Sequence, residues 1–253
     1  MAGSKQGVKL NTDTGFLKLV AMITMLIDHI GVVLYPNMNI LRIIGRISFP
    51  IYAYCIAVGC IYTRNALKYA LRVLVLAIIS QPIYVIALKH VSPSMNALMA
   101  GQVTFLKVLQ WYGLSMRSAN ILFTLLLGIL LIWSIREKRY IITGALVLLV
   151  WQCSSYISYQ WRGVALMLIF YAFIDQPLSS FFWAAGFMIW WGATTGSSVV
   201  ILGWRFALQI YAVLALVLIY IPTNTKIKLP KWIFYLFYPL HMLALYGWAL
   251  YIK

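Results

Sequence analysis

FLKLVAMITMLIDHIGVVLY, residues 16–35, is the stretch that decides the fold. Twenty residues at 1.5 Å of rise each make a helix of about 30 Å, the thickness of a bilayer's hydrocarbon core. Lys18, Asp28 and His29 are its only charged or imidazole side chains. Similar apolar runs follow at about 43–62, 69–88, 119–135, 140–157, 161–174, 178–194, 201–221 and 232–251. The sequence therefore predicts an all-α, polytopic transmembrane helical bundle of about nine spans. The run 161–174 is short and 201–221 carries Arg205 near its start, so eight to ten spans also fit. No run alternates with period two, which argues against an outer-membrane barrel.

Composition says the same. Hydrophobic residues make up 64% of the 253 and charged residues 9%, against roughly 45–50% and 25% in soluble domains. So few charges cannot cover a folded surface in water. A soluble enzyme, a disordered chain and a disulfide scaffold are excluded. Cys55, Cys60 and Cys153 fall inside apolar stretches without metal-ligand spacing and read as small core residues. The formal net charge is +16. The basic residues sit mostly in short breaks between apolar runs, so the partner is the lipid bilayer and not nucleic acid. No repeat or soluble module interrupts the chain, so residues 1–253 read as one integral membrane domain. Residues 1–15 form a polar cytosolic tail, and no small-residue cleavage site follows it. Residues 89–118, with Trp111 and Tyr112, read as an interfacial loop.

Basic clusters give the orientation. Lys5, Lys9, Arg64, Lys68, Arg72, Arg136, Lys138, Arg139, Lys226, Lys228 and Lys231 fall on one side of the spans, eleven in all. Eight fall on the other: Arg42, Arg46, Lys89, Lys107, Arg117, Arg162, Arg205 and Lys253. The expectation is a cytosolic N-terminus and an external C-terminus.

Charges at membrane depth are costly and usually face the bundle interior or a water-filled cavity. Lys18 and His29 are eleven residues apart, close to three full turns, so they share a helix face about 16 Å apart. That spacing suits an elongated anionic ligand. It equally suits a lysine that snorkels to the headgroups and a structural histidine. Asp28 lies about 100° round the helix from His29. It can orient or compensate that histidine, or it can pair with Arg42 and Arg46, which are four apart and share a face. Arg64, Lys68 and Arg72, spaced by four, form a basic ridge for anionic lipid or for a cofactor's phosphates. Asn120 and Thr124 lie one turn apart, as do helix-bridging polar residues. Tyr235, Tyr238 and His241 recur every three residues around Pro239. An aromatic belt explains the tyrosines but not the second imidazole. No metal-ligand cluster or glycine-rich phosphate loop is present.

The run from Lys18 to Gly31 resembles the opening span of the TraX family. The segments Arg42–Pro50, Asn120–Thr124 and Phe237–His241 are similar to that family in the same order. More distantly the chain resembles membrane acyltransferases in which a basic residue, ten intervening residues and a histidine recur in an early span, the spacing of Lys18 and His29. The resemblance implies transfer of acetyl from acetyl-CoA, without a metal, to an amine at the bacterial inner membrane. The implied acceptor is the N-terminus of a pilin or another peptide.

On that basis His29 is the expected general base, since an imidazole's pKa suits removal of a proton from an attacking amine. Asp28 supports it, and His241 is a second proton-transfer group or shapes the acceptor site. Lys18, Arg64, Lys68 and Arg72 are expected donor contacts. Arg42, Arg46, Asn120 and Tyr238 are expected on the substrate, and Arg46, Asn120 or Tyr238 is a donor to the thioester oxyanion. The rival readings are O-acetylation of a cell-envelope glycan and a proton-coupled transporter built on Asp28, His29 and His241.

Overall fold

A computed structural model describes residues 10–195, 198–201, 204–225, 227 and 230–252. Lys5, Lys9, Lys226, Lys228 and Lys253, used above for orientation, lie outside the described residues. Among the described residues twelve α-helices follow in order: α1 Thr14–Val33, α2 Asn39–Gly45, α3 Ser48–Tyr62, α4 Ala66–Ala87, α5 Pro93–Met99, α6 Phe105–Ser115, α7 Ile121–Arg136, α8 Tyr140–Gln152, α9 Gln160–Ala172, α10 Pro177–Thr194, α11 Ala215–Tyr220 and α12 Lys231–Tyr251. One short antiparallel hairpin pairs β1 Ser198–Ile201 with β2 Trp204–Ala207. The predicted helical membrane bundle is the observed class.

Among the described residues, four helical stretches are long and apolar enough to cross a bilayer: α1, α4, the run Asn39–Tyr62 through α2 and α3, and Trp232–Tyr251 in α12. The others are shorter or less apolar. The expected span at 201–221 needs correcting. Its first residues belong to the hairpin, and the helical part, Leu208–Tyr220, is 13 residues long, about 20 Å against a core of about 30 Å.

The stretch 89–118 also differs from the expected loop. Ser92 and Thr104 cap α5 and α6 by accepting from the backbone N–H of Met95 and Lys107. Residues that read as loop formers are thus helix starts. The two helices bury Met95 and Trp111 against Val85 of α4. Tyr112 answers a defect in α4. Pro82 has no N–H to offer the carbonyl four residues back, and the Tyr112 hydroxyl donates to that carbonyl, Ile78 O, at 2.9 Å.

The chain forms two compact units, residues 1–64 with 165–234 and residues 65–164 with 235–253. In the first, the end of the expected tail is built into the structure. Asn11 is buried and its amide donates to Leu218 O, Ile221 O and Thr223 Oγ1, each at 3.0 Å. Asp13 caps α1 and also accepts from the backbone and hydroxyl of Thr225 at 2.7 Å. Burial raises the Asp13 carboxyl, but the hydrogen bonds from Thr225, Phe16 and Thr223 outweigh it and hold it below the usual carboxylate range. In the second unit, α4 packs along α7 and α7 folds back on α8.

Candidate functional site

The α1–α2 contact in the first unit is set by two glycines. A Cβ on Gly31 would stand 2.9 Å from the Leu41 Cβ, and one on Gly45 would overlap the Asp28 side chain. With no side chain there, α2 comes close enough for its arginines to reach Asp28. Arg42 Nη1 donates to Asp28 Oδ2 at 3.0 Å. Arg46 Nη2 donates to Oδ1 at 2.9 Å and to Oδ2 at 3.2 Å. Asp28 is buried, and the Arg46 side chain is 11% exposed against 27% for Arg42.

Two guanidiniums on one carboxylate leave the cluster one positive charge in surplus. In a low-dielectric setting such a charge attracts an anion strongly.

His29 follows Asp28 on α1 and is half-buried. Lys18, three turns earlier on the same face, is also half-buried, with its Nζ 5.3 Å from the centroid of the Phe234 ring. A cation over an aromatic face is held electrostatically, so the ammonium has a fixed location.

Arg64 lies before the α4 N-cap, Asn65, rather than on the helix. The expected three-residue ridge is corrected accordingly: only Lys68 and Arg72 share a helical face, and all three are exposed.

In the second unit, His241 of α12 is buried, and its Nδ1 lies 2.6 Å from the Phe237 carbonyl oxygen. A carbonyl can only accept, so Nδ1 carries the proton and donates it. In the neutral ring the lone pair is then on Nε2. The ring stacks on Phe237 at 4.7 Å and meets Tyr238 edge-on at 5.9 Å. Tyr238 is buried beside it.

Asn120 is fully buried at the N-terminus of α7. Its Oδ1 accepts from Leu122 N, and its Nδ2 donates to Ala77 O and Gln81 Oε1, both at 2.9 Å. Gln81 in turn donates to Ser115 O and Ser118 O. Thr124 donates to Ser158 O, and Ser158 to Ala119 O. Both amide hydrogens of Asn120 are engaged, so it has no donor left for an oxyanion and acts as the helix bridge that its position in the sequence also allowed.

Two polar residues escaped the sequence reading. Gln81 sits in an apolar run beside Pro82, and that pairing was the available signal. Gln209, buried on the 3₁₀ segment Leu208–Leu214, has an amide nitrogen with no hydrogen-bond partner among the described residues. No signal in the sequence marks it.

The structure thus brings Asp28, Arg42 and Arg46 into one cluster and sets Tyr238 against His241. The model of the family described as TraX protein matches residues 13–249, which takes in every one of these side chains. The chain belongs to the TraX family. Among curated proteins, this TraX-family chain is similar to an uncharacterized protein of Rickettsia prowazekii, 55% identical over 38 residues, 15% of each chain. It is also similar to a probable fimbrial assembly protein FimC, serogroup H1, of Dichelobacter nodosus, 32% identical over 72 residues, 27% of this chain and 30% of that one. The TraX-family chain therefore spans less than a third of either relative's length in these matches. No solved structure matches it.

Proposed function

We propose that this TraX-family protein transfers acetyl from acetyl-CoA to an amine at the bacterial inner membrane, with the N-terminus of a pilin or another peptide as acceptor. The family match over 13–249 carries the reading. The probable fimbrial assembly relative supports a pilus-type acceptor. Orientation follows the basic clusters. The N-terminus is cytosolic in this reading, on the side of the clusters Arg64, Lys68 and Arg72 and Arg136, Lys138 and Arg139.

In the proposed reaction the acceptor nitrogen attacks the thioester carbonyl and His29 takes its proton. The tetrahedral oxyanion forms near the surplus charge of the Asp28–Arg42–Arg46 cluster, which stabilises it. Collapse expels the CoA thiolate and leaves the amide. Lys18, about 16 Å along the same face, holds the donor's phosphate end. Asp28 acts through the arginines that it positions.

A second assignment of the base is favoured by the His241 geometry. Its Nδ1–H is held by Phe237, and the Nε2 lone pair is suited to accept a proton. The two assignments separate in single variants, because only the true base should carry most of the rate.

The experiment is consumption of labelled acetyl-CoA by the purified protein in lipid nanodiscs. It is offered a peptide with a free N-terminus, the same peptide blocked, and an envelope glycan. Label on the free peptide alone supports N-acetylation; label on the glycan alone moves the reading to O-acetylation; thioester that survives with every acceptor contradicts both.

A further inference from the structure

We propose that the second unit holds an anionic phospholipid, its acyl chain in a groove between α6, α7 and α8 and its headgroup on Arg117. The groove encloses about 460 Å³, within the range of small-molecule sites. Phe123, Leu126 and Leu127 of α7 and Leu149 of α8 make its apolar wall; Arg117 and Tyr156 also line it, and both are exposed.

The polarity of the groove runs along the helix axis. The wall occupies the first two turns of α7, and Arg117 lies just ahead of that helix in the 3₁₀ turn Met116–Ser118. The α7–α8 hairpin carries its other charges at the opposite end, in the turn Arg136–Arg139. Sixteen residues of α7 put about 24 Å between the two ends. An amphiphile lying along this hairpin with its head at Arg117 therefore has its tail on apolar side chains.

Charge complementarity selects the occupant. Arg117 is the only charged residue in 108–135 and 140–161. It is exposed, and the salt bridges among the described residues do not include it. A lone cation at the mouth of an apolar groove fits one negative headgroup on one chain. The tail gains little by leaving lipid for leucine, since both are equally apolar. Discrimination between lipids then rests on the head, and one exposed arginine near the membrane surface is worth about fivefold in favour of an anionic lipid, about 1 kcal/mol.

Gly113 supplies an independent probe. It also lines the groove, and a Cβ there would meet nothing within 4 Å. Gly113→Leu should therefore fold normally while its side chain enters the groove.

The test uses the full chain in nanodiscs doped with a phosphatidylglycerol that bears a photoreactive diazirine on its acyl chain. Unlabelled phosphatidylglycerol or phosphatidylcholine of equal chain length serves as competitor, and peptides are mapped by mass spectrometry. The expected result is labelling within residues 121–127 that phosphatidylglycerol displaces about fivefold better than phosphatidylcholine. Arg117→Ala should remove that preference, Gly113→Leu should lower labelling by either lipid, and Arg139→Ala should change neither. Equal displacement by the two lipids in the wild type, or labelling of 121–127 unaffected by both groove variants, would overturn the proposal. None of these readouts depends on acetyl transfer.

Discussion

Two polar networks sit in apolar helices of this protein, and they differ in kind. Around Asn120 and Gln81, neutral amides meet backbone carbonyls and each other until their hydrogen-bonding capacity is used. Around Asp28, two guanidiniums share one carboxylate, and Arg42 keeps a partly exposed side chain. A buried network that is neutral and complete has nothing further to bind, so its work is to fix helices. A network with surplus charge beside a half-buried imidazole can still act on something else. Burial and polarity alone do not separate structural from functional residues; the balance of donors, acceptors and charge does.

The largest expected stability change sharpens that contrast. Asp28→Ala removes the carboxylate that holds both arginines, and taking one partner from a buried ion pair costs about 3–5 kcal/mol. Arg42's exposure places the expected loss near about 3 kcal/mol, measured by unfolding in detergent. A loss below about 1 kcal/mol would mean that water already screens the cluster as it does a surface pair.

Asn120→Ala should cost about 2 kcal/mol. A helix cap is worth about 1 kcal/mol, and the stranded Gln81 and Ala77 acceptors add to it. In the proposed acetyl transfer the folded fraction should keep wild-type kcat and KM. A selective drop in kcat for that variant would break the division between the two networks.

The smallest effect concerns the end of α1. The Asp13 pKa is depressed in the folded protein. Its contribution is therefore present above the unfolded value near 3.9 and is lost as pH falls through the lower folded value. Asp13→Asn keeps the cap, because the two residues cap equally well, and removes the charge. The variant should lose less than about 1 kcal/mol at neutral pH. Its stability should also fall less steeply below pH 4 than that of the wild type; identical acid profiles would exclude Asp13 as a contributor.

Much of this was legible in the sequence for physical reasons. Twenty apolar residues have few alternatives to a membrane helix, and an aspartate at that depth needs a cation, which Arg42 and Arg46 supply. The stretch 89–118 misled because Ser92, Pro93 and Thr104 promote loops and also begin helices. Whether a residue starts a helix depends on what that helix can bury, here Met95 and Trp111 against Val85. The hairpin of β1 and β2, which takes the start of 201–221, is not legible because hydropathy does not distinguish a short apolar strand from a helix. Gln81 is not legible because it stands in its run without a second amide, serine or threonine one turn away, such as Thr124 gives Asn120. The spacing of Arg64, Lys68 and Arg72 predicts one ridge, but spacing does not show where a helix begins, and α4 starts after Arg64.

The central claim, that α1 carries the chemistry, is tested most directly by comparing His29→Ala and Lys18→Ala with wild type in acetyl transfer to a free-amine peptide as donor concentration is varied. Loss of a positioned base should lower kcat by roughly 10²–10⁴-fold in His29→Ala. Loss of a phosphate contact should raise KM for acetyl-CoA in Lys18→Ala and leave kcat close to wild type. A folded His29→Ala protein with near-normal kcat would contradict the account and pass the role of base to His241.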